Sequence, residues 1–137
     1  MRKPAGLSIL LALLLLPAAT AWSRPSEPHR IAVLRTLDKV TARVGTIEAP
    51  IDTATRFGTL RVTPRACLVA PPIEPPERAA FLEIREQDGP QRGEVVRFQG
   101  WMFASSPGLS ALEHPVYDVW LLDCREPLAA PSSATSR

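Results

Sequence analysis

The segment AAFLEIREQDGPQRGEVVRFQGWMFA, residues 79–104, contains two apolar stretches separated by a short polar one. Ala79–Arg85 and Val95–Ala104 are rich in aliphatic and aromatic residues, the composition that favours strands. Between them, Asp88-Gly89-Pro90 and Gly93 supply turn chemistry. The segment therefore predicts two consecutive strands joined by a tight connection.

Four further segments have the composition or the alternation of strands. They are Ile31–Arg35, Lys39–Ile47, Arg56–Val69 and Val116–Cys124. Within the second of them, alternation places Val40, Ala42 and Val44 on one face. Six strands in fewer than a hundred residues predict an all-β fold, either a small sandwich or a small barrel.

The longest of these segments, Arg56–Val69, contains a proline at an interior position. Apolar residues recur there in period two, at Leu60, Val62, Ala66 and Leu68. Pro64 cannot donate a ladder hydrogen bond, so it is confined to a strand edge or a bulge. We therefore expect an edge or a β-bulge at this position.

One short helix is expected between the last two strands. Ser106 has the side chain of an N-cap, and Pro107 suits the first helical position. Leu109 and Leu112 lie three residues apart, on one face of such a helix. Pro115 would end it because proline disfavours a helical residue before it.

The N-terminus has the pattern of a secretory signal peptide. Arg2 and Lys3 precede the apolar run Ala5–Leu16, and the small residues that follow end with Ala19-Thr20-Ala21, typical of a cleavage site. We expect export, most simply to the periplasm, with no membrane span after cleavage. The predicted organisation is a signal peptide at 1–21, a disordered linker at 22–30, one β-rich domain at 31–126 and a disordered tail at 127–137.

The charge balance argues against nucleic acid as a partner. Without the predicted signal peptide the chain has 14 basic and 14 acidic residues, and 13 of the basic ones are scattered arginines. No basic excess remains to neutralise phosphates.

Cys67 and Cys124 are the only cysteines. In an oxidising compartment an even cysteine count favours one structural disulfide, which would close a loop of 58 residues. The alternatives are a redox-active pair, which normally has the C-x-x-C spacing, and a zinc site with His29 and His114. Two buried free thiols are the third alternative.

The segment Pro71–Pro76, PPIEPP, interrupts the predicted strands. It is interpreted as a rigid loop that restricts the unfolded chain. The functional alternative is a polyproline II segment bound by a partner.

Several segments together resemble a family of small exported proteobacterial proteins that is known only as a domain of unknown function. The hallmark block is Gly100–Pro107 (GWMFASSP) with its continuation Leu109–Trp120 (LSALEHPVYDVW). Arg56–Leu60, Pro72–Pro76 and Ala79–Ile84 resemble the family's earlier blocks. The resemblance implies one exported domain that contains both cysteines, and it supplies no activity and no catalytic residue.

The hallmark block also holds the candidates for catalysis. Ser105 or Ser106 as nucleophile, His114 as base and Asp118 as orienting carboxylate would form a hydrolase triad, although no G-x-S-x-G turn surrounds either serine. Glu113 paired with Asp118 or Asp123 could instead hydrolyse a glycoside. No metal-ligand cluster or cofactor motif occurs, so neither a metal nor a cofactor is predicted.

The aromatic residues of the same block suggest binding rather than catalysis. Trp101, Tyr117 and His114 are the candidate binding residues, with Tyr117 expected to be the aromatic that escapes the core. The preferred function is a non-enzymatic exported β-domain that binds another cell-envelope component, a protein or a glycan. The alternative is a small envelope hydrolase that uses His114.

Overall fold

The structure, a computed structural model, describes residues 26–128. The predicted signal peptide lies outside these residues, as does most of the predicted tail. Eight strands follow one another along the chain: β1 (Glu27–Pro28), β2 (Ile31–Asp38), β3 (Arg43–Pro50), β4 (Thr55–Phe57), β5 (Leu60–Val69), β6 (Arg78–Gln87), β7 (Glu94–Phe103) and β8 (Tyr117–Arg125). One turn of α-helix, Gly89–Arg92, joins β6 to β7, and a 3₁₀ turn, Pro107–Leu109, lies between β7 and β8.

The strands form two antiparallel sheets. One sheet has the order β1-β5-β6-β7, with β4 also paired to β5, and the other has the order β3-β2-β8. Within the part of the chain that is described the two sheets stay separate, so the fold is a sandwich and not a barrel. The prediction of a small all-β fold is confirmed, and of the two forms considered, sandwich and barrel, the structure is the sandwich.

All six predicted strands are present, and two short strands were not predicted. β4 extends the β5 edge, and β1 pairs with the far end of β5 through Glu27 opposite Val69 and Pro28 opposite Leu68. This pairing starts four residues before the predicted beginning of the domain at residue 31. A two-residue strand has no alternation of its own that a sequence could display.

The prediction of a strand beginning at Lys39 is wrong. Residues 39–42 form the turn between β2 and β3, in which Ala42 has a φ of 55°. The Asp38 carboxylate accepts hydrogen bonds from the backbone N–H groups of Val40 and Thr41, at 2.9 and 3.0 Å. A side chain that satisfies the backbone locally in this way favours a turn over a strand. Val40 and Val44 are consequently exposed rather than buried.

The bulge expected at Pro64 is confirmed. The register of β5 against β6 shifts between Pro64 and Ala66. Because one extra residue reverses the side-chain alternation beyond it, Cys67 faces the core. Ala66 and Leu68 therefore lie on the opposite face from Leu60 and Val62 despite the period-two spacing, and both are only half-buried.

The core lies between the facing sides of the two sheets. β2 contributes Ala32 and Leu34, β6 contributes Leu82 and Ile84, and β7 contributes Met102, all at most 1% exposed. The remaining residues of this buried cluster come from β3, β5, β6, β8 and the loop before β8: Ala49, Leu60, Val62, Cys67, Ala80, Leu112, Val119, Leu121 and Cys124.

The helix predicted after Ser106 is reduced to the single 3₁₀ turn. Ser106 precedes it but makes no side-chain capping hydrogen bond. Leu109 is 76% exposed, whereas Leu112 is 4% exposed and belongs to the core. The two leucines therefore do not share a helical face, because the 3₁₀ turn ends at Leu109 and only Leu112, beyond it, reaches the core.

The predicted disulfide is present. Cys67 of β5 and Cys124 of β8 are bonded, with their Cα atoms 5.6 Å apart. Since β5 and β8 belong to different sheets, the bond links the two layers of the sandwich directly. Both cysteines are buried.

Candidate functional site

His114 lies at the centre of the main polar cluster that the fold buries. Its Nε2 atom is 3.1 Å from each carboxylate oxygen of Glu86, on β6. Its Nδ1 atom accepts hydrogen bonds from the backbone N–H groups of Val116 and Tyr117, both at 3.1 Å. A ring nitrogen that accepts carries no proton, so the proton of the neutral ring is on Nε2 and is donated to Glu86.

Glu86 accepts from two further donors besides His114. Thr59 Oγ1 donates to Oε1 at 2.6 Å, and Arg97 Nε donates to Oε2 at 2.7 Å. These interactions lower the pKa of Glu86, with the Thr59 hydrogen bond as the largest cause. The carboxylate is thus ionised and fully occupied by donors from three segments of the chain.

An aromatic layer covers the His114 ring. Tyr117 stacks on it with ring centroids 5.3 Å apart, and Phe57 meets Tyr117 edge to face at 5.0 Å. Gly58 has a φ of 57°, and a Cβ atom added there would lie 2.5 Å from the Tyr117 ring. Two independent features therefore require glycine at position 58: the backbone conformation and the close approach of the Tyr117 ring.

Lys39 joins the turn before β3 to the same cluster. Its Nζ atom donates to the backbone oxygen of His114 at 2.7 Å and forms an ion pair with Asp118 at 2.9 Å. The cluster therefore fastens the loop before β8 to the ends of β2, β6 and β7. The cluster thus holds the two sheets and the loop that connects them, between β7 and β8, in fixed positions. We call this contact the histidine tie.

The three residues of the predicted hydrolase triad have separate partners. Ser105 donates from its hydroxyl to the carboxylate of Glu77, which also accepts the Ser105 backbone N–H. The Ser105 hydroxyl is the main cause of the lowered pKa of Glu77. His114 is bonded to Glu86 and Asp118 to Lys39. No hydrogen bond within residues 26–128 joins two members of the triad.

The carboxylates considered for glycoside hydrolysis are likewise dispersed. Asp118 pairs with Lys39, Asp123 pairs with Arg78 at 2.8 Å, and Glu113 is exposed. Among the residues that the structure covers, no group of three or more His, Cys, Asp or Glu side chains could hold a metal ion. In the same part of the chain, no helix has the length and apolarity needed to cross a membrane.

The outer face of the larger sheet carries an exposed apolar surface. Ala80 and Met102 face the core, so their neighbours Phe81, Trp101 and Phe103 face outwards by strand alternation. Trp101 is 38% exposed and meets Phe81 edge to face, with ring centroids 5.6 Å apart. We call the four outward residues Leu68, Phe81, Trp101 and Phe103 the Trp101 patch.

The candidate binding residues are therefore divided between two places. Trp101 lies on the surface, whereas His114 is buried and Tyr117 is half-buried against the core. Tyr117 was expected to be the exposed aromatic, and Trp101 takes that position instead. Tyr117 faces inwards because it lies on the same side of β8 as the buried residues Val119 and Leu121.

Several residues of the His114 cluster, Arg97 and Lys39 among them, were not predicted from the sequence. Glu86, Thr59 and Gly58 are ordinary polar or turn residues in sequence, and each is at least 28 positions from His114. The only signal was that Gly58 and Thr59 belong to the Arg56–Leu60 block of the family resemblance. The structure brings this block and the hallmark block into contact.

Fold and cluster together define a class: a small antiparallel β-sandwich whose sheets are joined by one disulfide and by a buried histidine–carboxylate tie. Residues 32–124 match the family described as uncharacterized protein conserved in bacteria (DUF2155), and the chain belongs to this family. It is also similar to the uncharacterized protein RP359 of Rickettsia prowazekii (strain Madrid E), with 29% identity over 93 residues. That alignment covers 64% of this chain and 56% of the relative, so the chain spans little more than half of that protein. No solved structure matches the chain.

Proposed function

We propose that the protein is an exported, periplasmic binding domain that holds another protein of the cell envelope against the Trp101 patch. The observation that carries the proposal is the exposure of Trp101, with the Phe81 ring beside it, on a sheet face that also carries charged side chains. An aromatic anchor surrounded by polar groups is the usual composition of a protein-binding hot spot.

The neighbours of the patch support this choice. On the same outer face, Arg65 contacts Asp52 and Glu83, and Arg85 contacts Glu83. These ion pairs leave the surroundings of the patch polar and close to neutral. The aromatic side chains of this face, by contrast, lie at one end of the sheet, around Trp101.

The geometry favours a protein over a glycan as the partner. Sugar rings stack best on flat, exposed aromatic faces, and only Trp101 is well exposed within the patch. The Phe81 ring stands at 80° to the Trp101 ring, so the two do not form a level platform. An uneven aromatic surface of this kind suits the side chains of a protein.

Export is supported by the N-terminal pattern and by the cysteines. The run Ala5–Leu16 after Arg2 and Lys3 has the form of a signal peptide. A buried disulfide between the two sheets is expected to persist in an oxidising compartment such as the periplasm.

The hydrolase alternative has less support. A general base needs a free nitrogen lone pair, and the Nδ1 lone pair of His114 is shared by two backbone N–H groups. Its Nε2 atom is directed at Glu86 and not at Ser105, whose hydroxyl is bonded to Glu77.

The test is site-specific photo-crosslinking in living cells. A photoreactive residue at position 103, beside Trp101, should give one discrete protein adduct in the envelope fraction. The same residue at Arg92, on the exposed turn between β6 and β7, is the control and should give none. Adding Trp101→Ala should abolish the adduct while the thermal unfolding temperature stays close to that of the parent.

Two outcomes would contradict the proposal. Equal labelling from positions 103 and 92 would mean that the patch is not a binding surface. Co-sedimentation of the purified protein with isolated peptidoglycan, lost in Trp101→Ala, would replace the protein partner by a glycan. Fractionation and the intact mass of the mature chain, expected to begin at Trp22, test the export half independently.

A further inference from the structure

A second apolar surface lies on the opposite side of the sandwich, where the loop before β8 meets that strand. A groove of about 260 Å³ opens there. Its lining residues are Pro107, Ala111, Leu112, Asp118, Val119 and Trp120. We call this the β8 groove, and it is separate from the Trp101 patch on the other sheet.

The outer face of the smaller sheet continues this apolar surface. Leu37 on β2 lies between Val44 of β3 and Asp118 of β8, and Arg35 lies opposite Trp120. Val44 is 60% exposed, and Leu37 and Trp120 are half-buried. Contiguous exposed apolar side chains on a sheet face commonly mark an interaction site.

A projecting side chain stands directly beside the groove. Leu109, in the 3₁₀ turn, is 76% exposed and is flanked in sequence by the lining residues Pro107 and Ala111. A projection and a cavity are thus adjacent on one surface. A two-fold symmetric interface requires such a self-complementary arrangement, because each copy offers the same patch to the other.

Charged side chains at the edges of this surface are also suited to pairing between two copies. Arg35 borders Trp120 on the sheet face, and Glu113 follows Leu112 on the loop. Neither side chain forms an ion pair within residues 26–128. Asp118, at the groove itself, is already neutralised by Lys39 at 2.9 Å. One unpaired cation and one unpaired anion therefore lie at different edges of one apolar surface.

We propose that this surface binds a second copy of the chain across a two-fold axis. Leu109 of each copy enters the β8 groove of the other, and Glu113 of each copy pairs with Arg35 of the other. The two symmetric ion pairs then lie at the rim of an apolar centre, where they fix the register of the interface. The Trp101 patch remains accessible on the outer side of the dimer, so this inference is independent of the proposed function.

Sedimentation velocity of the purified, oxidised protein over a wide concentration range tests the proposal. The chain should form dimers, and Leu109→Glu should raise the dimer dissociation constant by about tenfold or more, because it places a charge in an apolar groove. Ile73→Glu is the matched control, since Ile73 is 74% exposed on the β5–β6 loop, and it should leave the dissociation constant unchanged.

Charge reversal tests the ion pairs separately. Arg35→Glu alone and Glu113→Arg alone place like charges together in both symmetric contacts, and each should weaken the dimer. The double variant should restore it. A protein that is monomeric at every concentration, a dimer that tolerates Leu109→Glu, or a double variant weaker than both single ones would overturn the proposal. Far-ultraviolet circular dichroism of each variant establishes that the comparison is between folded chains.

Discussion

The imidazole of His114 and the carboxylate of Glu86 face each other with Nε2 3.1 Å from both oxygens, although 28 residues separate them in the chain. His114 lies in the loop that crosses from one sheet to the other, and Glu86 lies near the end of β6. The contact fixes the path of that loop and so the position of the whole hallmark segment.

Replacing His114 by alanine should destabilise the fold. The change removes the acceptor for two backbone N–H groups and one donor to Glu86, and each buried polar group left without a partner costs about 1–3 kcal/mol. Urea unfolding followed by tryptophan fluorescence measures the loss. Ser106→Ala is the control, because Ser106 makes no capping hydrogen bond. If the two variants unfolded alike, the histidine tie would have no structural role.

Gly58→Ala should lower the free energy of unfolding more than Gly89→Ala does. Both glycines have positive φ, 57° and 74°, so alanine strains the backbone at both positions, by about 1–2 kcal/mol. Only at Gly58 does the added Cβ meet another group, the Tyr117 ring at 2.5 Å. Comparing the thermal unfolding of the two variants separates the backbone strain, which both share, from the steric clash with Tyr117, which only Gly58→Ala introduces. Combining Gly58→Ala with Tyr117→Leu should recover part of the difference, and a purely additive loss would argue against the collision.

The two Cys→Ala substitutions together, at 67 and 124, should lower the free energy of unfolding by roughly 4 kcal/mol, the chain-entropy estimate for a loop of this length. Reduction of the wild type should produce the same loss. Before reduction, the intact mass should be two hydrogens below that of the dithiol. Two thiols that alkylate freely in protein recovered from the periplasm would contradict the prediction.

The stabilising effect of Glu86 should disappear in acid. Its pKa lies below the ordinary value of 4.5, mainly because Thr59 donates to the ionised form. The unfolded chain therefore takes up the proton first as the pH falls, so the stabilisation is complete above about pH 4.5 and is lost as the pH falls through the folded-state pKa. The difference in unfolding free energy between wild type and Glu86→Gln should shrink over that range. Glu126→Gln, at an exposed position after β8, is the control, and a difference that stayed constant with pH would contradict the assignment.

Much of the sandwich could be predicted from local patterns. The alternation in β6 and β7, the turn residues between them and the proline at 64 each have a local physical cause, so six strands and one bulge were correctly expected. Local patterns gave a wrong prediction where a side-chain hydrogen bond to the backbone favoured a turn over a strand. Asp38 bonds to the backbone of Val40 and Thr41, and so an apparently alternating segment forms a turn.

The candidate site was less predictable than the fold. The sequence grouped Ser105, His114 and Asp118 because they are near one another in the chain, yet their partners are Glu77, Glu86 and Lys39. Each of these partners lies in another segment of the chain. Sequence proximity carries little information about contacts in a fold whose pairings are mostly between distant segments.

By itself the sequence determined the all-β class, because alternating apolar residues with turn signals bury a core between sheets, and it left a single possible intramolecular pairing for its two cysteines, which the structure shows to be bonded. The tertiary structure alone decided which side of each strand faces inwards. Alternation defines two faces without naming the buried one, and a single inserted residue after Pro64 exchanges them. For the same reason only the structure placed Trp101 on the surface and Tyr117 against the core, and only the structure showed that the loop residue His114 is buried beside Glu86.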